Sequence, residues 1–273
     1  MFGLLEDACP SGTVPIRRTT KEDLIAIRSM SNNIYPQTAA APGIHRAQIQ
    51  MQEFTARSYT GVKGNIAVYN PDVKLGDSYA EIHIMKGEEE NVNSISTGWM
   101  SGGPTNTGCF NLVCPGFVQI DKTIHLAAAI TNVSIPQGPH FEIAVSIFKE
   151  KDGNWWITKD GISVGYFPAK IFNNFTNPES VGWGGVVAAP NPPTGISPPM
   201  GSGLYADGKY EHSCSIRLVQ YRNNSGIIEG PHQYSYDKIN DTPSCYGLND
   251  PVYQGVENGY TFDFGGPGGD CGI

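Results

Sequence analysis

The chain has 273 residues, a formal net charge of -8, and a high content of glycine and proline, with 33 and 20 residues. The negative charge excludes the electrostatic footprint of a nucleic-acid-binding protein, and no apolar run is long enough to cross a membrane. Many short strands joined by tight turns are typical of this composition, so we predict an all-β fold.

The first fifty residues differ in character from the rest of the chain. Thr19 and Glu22 have the spacing of a capping box, which predicts a short helix over residues 20–31. A stretch rich in alanine and proline over residues 37–43 indicates a linker. We therefore divide the chain into an N-terminal segment, residues 1–50, and one β domain, residues 51–273.

The β domain is predicted from alternating apolar and polar residues. Pro168 should open a single short helical interruption, and the absence of an internal repeat favours an antiparallel two-sheet sandwich over a propeller. The alternation predicts strands over residues 62–69, 79–85, 141–148, 155–157, 163–167, 181–188, 213–221 and 260–264.

Cys109 and Cys114 flank a tetrapeptide, with turn-forming Gly108 and Pro115 at the edges. The spacing suits a short disulfide loop, and a pair of buried thiols is the alternative. A metal site is disfavoured because no second pair of cysteines stands at ligand spacing. We predict neither a metal ion nor a cofactor.

The compartment is indicated by the cysteines and by the glycosylation sequons. Six cysteines favour an oxidising environment. Residues 1–7 do not resemble a signal peptide, so we expect a secreted protein whose natural N-terminus lies further upstream. Sequons occur at Asn132, Asn174, Asn223 and Asn240.

A series of short motifs runs along nearly the whole chain. They are CPSGTVPIRRTTKEDL (9–24), GVKGNIAVYNP (61–71), GW (98–99), TGCFNLVCPGFVQI (107–120), GNWW (153–156), VGYFPAKIF (164–172), WGG (183–185), PPMGSG (198–203), SCYG (244–247) and FGGPGGDC (264–271). In content and order they resemble the neprosin family of plant secreted proteins. The first motif resembles the end of the family's activation peptide, which makes the predicted helix a propeptide remnant.

The resemblance implies a fold and an activity. The remaining motifs resemble the family's peptidase domain, a jelly-roll-like pair of antiparallel seven-stranded sheets bent around a groove. Active members are glutamic endopeptidases that cut next to proline at acid pH. One glutamate takes a proton from the attacking water, and a second polarises the substrate carbonyl.

Both glutamate positions are substituted in this chain. The resemblance places one glutamate two residues before Gly98-Trp99, where Ser96 stands, and the other directly after the Trp-Gly-Gly motif, where Val186 stands. We expect these two residues to face one another across a concave sheet face, without catalysing hydrolysis. The stretch at 100–106 is also too short for the strand that the family has there, so one groove wall should be missing or rebuilt.

Other residues could serve such a groove. Trp99, Trp183, Gly184 and Gly185 are the groove candidates that the resemblance suggests, although core packing is the default interpretation of the two tryptophans. Among ionisable residues, Glu81, His83 and Glu142 could face a groove, although charges on a solvated sheet face are the simpler interpretation. Ser96 could act as a nucleophile only with a base in reach, and no sequence pattern supplies one.

The resemblance also implies the remaining assignments. Cys109 should pair with Cys114 and Cys245 with Cys271, while Cys9 has no partner and Cys214 is a buried thiol. We predict a secreted, monomeric and catalytically inactive protein that binds proline-rich peptides or glycans, and neither nucleic acid nor membranes. The alternative is an acid prolyl endopeptidase that uses carboxylates which the sequence does not identify.

Overall fold

The computed structural model describes residues 9–18, 20, 42–52, 58–87, 92–102, 111–112, 115–190, 194–232 and 235–272. Within these ranges the protein is built almost entirely of strands, and every strand pair is antiparallel. The strands are β1 (Ile44–Gln52), β2 (Tyr59–Ala67), β3 (Asp77–Lys86), β4 (Asn93–Gly102), β5 (Val118–Gln119), β6 (Glu142–Lys149), β7 (Trp155–Lys159), β8 (Ile162–Phe167), β9 (Ser180–Ala188), β10 (Ile196–Ser197), β11 (Cys214–Asn223), β12 (Ile228–Glu229), β13 (Asp237–Asn240), β14 (Gly247–Leu248), β15 (Val252–Tyr253), β16 (Tyr260–Gly265) and β17 (Gly269–Asp270).

The strands form two main sheets. A five-stranded sheet has the order β13-β1-β9-β3-β4, and a ten-stranded sheet follows the path β14-β16-β11-β2-β6-β7-β8-β5, with β12 and β15 attached at its side. A separate pair, β10 and β17, lies near the C-terminus. The predicted all-β sandwich is confirmed, but within the described residues the sheets have five and ten strands rather than the seven and seven that the resemblance implied.

The core lies between the two main sheets, and two tryptophans link them. Trp183 on β9 is fully buried, and its indole N–H donates to the carbonyl oxygen of Lys63 on β2 at 2.9 Å. Trp99 on β4 makes the equivalent bond to the carbonyl oxygen of Ala67 at 2.8 Å. Each bond runs from the five-stranded sheet to the ten-stranded one, so both indoles bury their apolar area with the N–H satisfied.

Helical structure is confined to short turns in the described part of the chain. A 3-10 turn over Ala169–Ile171 follows Pro168, as the sequence predicted, and a single α-helical turn covers Gly255–Asn258. None of the described helices is long and apolar enough to cross a membrane. The predicted helix over residues 20–31 lies outside the described residues, apart from Thr20.

The predicted division after residue 50 falls inside β1. This strand spans Ile44–Gln52 and pairs along its length with β9, and its residues 47–50 also pair with β13. A cut at residue 50 would therefore remove most of an interior strand of the five-stranded sheet. The β domain takes in residues 44–50, because these residues supply core side chains such as Ala47 and Ile49.

The C-terminal tail is held by the predicted disulfide between Cys245 and Cys271, whose Cα atoms are 6.0 Å apart. Cys9 and Cys214 are free, and Cys214 is buried, as predicted. Cys109 and Cys114 lie outside the described residues, so their pairing stays a prediction. A disulfide is consistent with an oxidising compartment.

Removing this disulfide should loosen the tail. The bond closes a span of 26 residues, for which the chain-entropy model gives a contribution of about 3.5 kcal/mol. We expect a variant with both Cys245→Ala and Cys271→Ala to unfold at a lower urea concentration, with faster proteolysis near β17. Cys9→Ala, at a free cysteine, is the matched control. Identical urea midpoints for the double variant and the parent would contradict this prediction.

Candidate functional site

The candidate site is the outer face of the five-stranded sheet, defined as the face turned away from the core. Alternation along the strands places the core residues Ile49, Ile82 and Trp183 on one face and their neighbours on the other. Strand register sorts the outer-face residues of β1, β9, β3 and β4 into rows, and the three central rows contain the candidate residues. They are Gln50, Gly182, His83 and Ser96; then Gln48, Gly184, Glu81 and Gly98; then Arg46, Val186, Tyr79 and Met100.

Ser96 and Val186 share this face but are not direct neighbours. Ser96 is opposite His83 on β3, and Val186 is opposite Tyr79 on the same strand. The two positions are therefore two strands and four residues apart, which is roughly 16 Å between Cα atoms on a flat sheet. Ser96 is exposed and Val186 is half-buried.

Glu81 lies between these two positions, in the middle row. Its direct neighbours are Gly184 on β9 and Gly98 on β4, so no side chain flanks it in that row. Across Gly184, the side chain of Gln48 reaches over from β1 and donates from Nε2 to Glu81 Oε1 at 3.3 Å. Glu81 is 8% exposed, so the prediction of a solvated sheet face is wrong for this residue.

Glycine at position 184 is required by the backbone. Its φ is +145°, and a Cβ there would lie 2.3 Å from the carbonyl oxygen of Ala47. Gly98 is equally restricted, because its Cβ would lie 1.9 Å from the carbonyl oxygen of Ala80. The close approach of the strands therefore requires glycine on both sides of Glu81, and no side chain covers the backbone at those two positions.

His83 is the second ionisable side chain on this face. It is 3% exposed, and its Nδ1 lies 3.6 Å from Glu81 Oε1, too far for a hydrogen bond. A Cβ on Gly182 would meet the imidazole at 2.4 Å, so the ring leans over β9. Ser96 is on β4, the opposite side of β3, and the imidazole therefore does not point at its hydroxyl as a base would.

Arg46 is the cation of the outer face, on β1. Burial lowers the pKa of its guanidinium, and the carboxylates of Asp241 and Glu81 oppose that effect. Its backbone N–H donates to Asp241 at 3.0 Å, which fixes β1 against the loop after β13. Arg46 is thus a buried cation within electrostatic range of Glu81.

Three of the four groove candidates are core residues. Trp99 is 6% exposed, Trp183 is fully buried, and a Cβ on Gly185 would meet the Met200 sulfur at 2.5 Å inside the core. Only Gly184 lies on the outer face. The physical reason is the two-residue period of a strand. Trp99 is three residues from Ser96 and Trp183 is three residues from Val186, so each tryptophan lies on the opposite face from the substituted position on its strand.

Glu142, the remaining ionisable candidate, is on the other sheet. On β6 it accepts from Tyr210 at 2.5 Å and from Arg217 Nε at 2.6 Å. Burial would raise the pKa of Glu142, but the His140 imidazole at 3.6 Å, the hydrogen bonds from Tyr210 and Arg217, and the Arg217 charge outweigh it and lower the pKa. This carboxylate is committed to a structural cluster and takes no part in the outer face.

The glycosylation candidates differ in exposure. Asn132 and Asn174 are exposed. The Asn223 side chain donates to Glu229 and accepts from the backbone N–H groups of Ser225 and Ile227, and Asn240 donates to the Tyr246 carbonyl. The first two sites are therefore the accessible ones. Within the described ranges no group of three potential metal ligands occurs.

A family model described as Neprosin matches residues 101–267, more than half of the chain. The chain belongs to the neprosin family. The matched segment includes Val186 and the Trp-Gly-Gly motif of β9, whereas Ser96 and Glu81 precede it. Of the outer-face strands β1, β9 and β3, β9 is therefore the one that the family match covers.

Sequence reasoning missed the Gln48–Glu81 contact. The sequence offers Glu81 as a possible groove residue or a solvated surface charge, and it places Gln48 in a separate N-terminal segment. Gln48 and Glu81 lie on strands that are not adjacent, separated by β9. A contact of that kind depends on the strand order and on a glycine between the strands, and no local pattern encodes it.

Proposed function

We propose that this neprosin-family chain is a peptidase-like protein that does not hydrolyse peptide bonds and that binds an extended proline-rich peptide on its outer face. One observation carries the proposal. The two positions that the resemblance assigns to catalytic glutamates hold a hydroxyl and an isopropyl group, although the strands that present them are intact. Each general acid or base contributes typically about 10²–10⁴-fold, so losing both brings hydrolysis close to background.

Serine chemistry does not replace the lost pair. The Ser96 hydroxyl needs a base within hydrogen-bond reach, and the nearest imidazole, His83, leans towards β9. Val186 can neither give nor accept a proton. On β3 and its two neighbouring strands, Glu81 is the carboxylate diagonal to both substituted positions, and it already accepts a hydrogen bond from Gln48.

The shape of the face favours a peptide as the ligand. Gly98 and Ser96 are exposed on β4, and Met100 in the next row is 38% exposed. A floor of glycines lets another backbone approach closely, and an exposed methionine offers adaptable apolar contact for a proline ring. A glycan is the competing ligand, since carboxylate and amide groups also accept and donate to hydroxyls.

The extracellular setting is part of the proposal. The Cys245–Cys271 disulfide supports secretion, and Asn132 and Asn174 are the positions where we expect glycans. Mass spectrometry of the protein from a secreting host should find a higher glycan occupancy at these two asparagines than at Asn223 and Asn240. We also propose that the secreted protein is a monomer, which size-exclusion chromatography with light scattering tests directly.

The deciding experiment incubates the purified full-length chain with proline-containing peptides at pH 3–5 and follows products by mass spectrometry. That range suits a carboxyl pair that shares a proton, given ordinary pKa values near 4. We expect no cleavage, together with saturable binding in calorimetry that weakens when proline is replaced by alanine. A matched glycan panel should show no binding.

A specific observation also favours a second candidate, an acid peptidase that relies on Glu81. This carboxylate lies between the two substituted positions. Cleavage by the parent chain that disappears in Glu81→Gln would establish the second candidate and overturn the first. Binding of glycans without peptide binding would overturn the choice of ligand.

A further inference from the structure

We propose that Glu81 is the working carboxylate of the outer face, so that the chain lacks one carboxyl group of a hydrolytic pair rather than two. The inference rests on the proposed function, because it assumes that a peptide lies on this face. It predicts that a single substitution, Val186→Glu, converts the binding protein into an acid-dependent peptidase.

The register supplies the geometry. Glu81 is opposite Gly184, and Val186 is two residues further along β9 on the same face. Glu81 is also opposite Gly98, and Ser96 is two residues away along β4. Both positions are therefore diagonal neighbours of Glu81, at about 7–8 Å between Cα atoms. Glutamate side chains at that separation can hold one water molecule between their carboxyl groups.

The surroundings leave Glu81 room to act. Gly98 and Gly184 place no side chain beside it, and Gly98 is exposed. Gln48 donates to Oε1 from the far side of β9, which orients the carboxylate. The charged and titratable groups around Glu81 are His83 and Tyr79 on its own strand and Arg46 from β1, with Asp241 behind Arg46. Asp77, further along β3, is diagonal to position 186.

The step in the Val186→Glu variant balances without any further reactant. The Glu81 carboxylate accepts a proton from water as the water oxygen bonds to the carbonyl carbon. The carboxyl group introduced at position 186 gives its proton to the carbonyl oxygen. When the tetrahedral adduct collapses, the C–N bond breaks, the proton on Glu81 passes to the departing nitrogen, and a hydroxyl proton returns to the group at 186.

The test compares four full-length proteins on one proline-containing peptide: the parent, Val186→Glu, Val186→Gln, and Val186→Glu combined with Glu81→Gln. We expect cleavage by Val186→Glu at least about 10²-fold above the parent, with a bell-shaped pH profile in the acid range. The glutamine at 186 matches glutamate in shape and should give no activity. Glu81→Gln keeps an oxygen for Gln48 and should return the double variant to background.

Each outcome decides between the two claims. A Val186→Glu protein that is folded and binds the peptide without cleaving it overturns the role of Glu81 and leaves the binding proposal intact. Cleavage that persists after Glu81→Gln also overturns that role. Cleavage by the parent would overturn the proposed function instead. Should Val186→Glu unfold, Ser96→Glu at the exposed diagonal position is the second variant, and its failure to cleave would likewise overturn the inference.

Discussion

Replacing Trp183 with alanine is expected to lower the free energy of unfolding by about 3–5 kcal/mol, the range for large aromatic-to-alanine changes in a core. The indole is fully buried and lies between the sheets, with its N–H bonded to the Lys63 carbonyl. The substitution opens a cavity and leaves that carbonyl without its partner, which adds to the loss. Equilibrium unfolding in urea measures the change.

Trp156→Ala is the matched control for this prediction. Trp156 is half-buried, stacks beside Tyr166 and donates to Asp152 on the surface of the ten-stranded sheet. Trp156→Ala should lower the free energy of unfolding clearly less than Trp183→Ala, because little of the volume that Trp156 vacates becomes a cavity. Equal losses at the two positions would show that Trp183 does not link the sheets as its contacts indicate.

The fold follows from local pattern to a large extent. In β3 the alternation places Ala80, Ile82 and Ile84 inward and Glu81 and His83 outward, and the structure has this arrangement. The same alternation does not reveal how deeply an outward residue is buried. Glu81 and His83 are covered in part because glycines on β9 admit side chains from neighbouring strands, and that depends on non-local pairing.

The candidate site was predictable only in part for the same reason. The motifs point to Ser96 and Val186, but their separation depends on strand order, in which β3 lies between β4 and β9. For Trp99 and Trp183 the spacing alone favours the core over the groove. Each is three residues from a substituted glutamate position, and an odd spacing in a strand puts two side chains on opposite faces.

The second large expected effect is the contribution of Glu142 to the free energy of unfolding, which depends on pH. Hydrogen bonds from Tyr210 and Arg217 hold this carboxylate in its charged form, so its folded pKa is below the ordinary value despite burial. A lowered folded pKa means that the carboxylate stabilises the fold above its unfolded pKa. That contribution is lost as pH falls through the folded pKa.

Glu142→Ala is therefore expected to lower the free energy of unfolding by about 3–4 kcal/mol at pH 7, because Arg217 and Tyr210 lose a shared buried acceptor. The difference from the parent should begin to narrow as pH falls below the ordinary glutamate pKa and should narrow further as pH falls through the lower folded pKa of Glu142. Urea unfolding at a series of pH values measures both the loss at pH 7 and its narrowing.

Two variants are the controls. Glu142→Gln, which keeps the shape but not the charge, should lower the free energy of unfolding less than Glu142→Ala does. Glu150→Gln, at a half-exposed ion pair with Arg222, should change the free energy of unfolding little. A gap between Glu142→Ala and the parent that stays constant down to pH 2 would show that the cluster acts through packing rather than charge, and the acid sensitivity of the fold would then have to arise at other carboxylates.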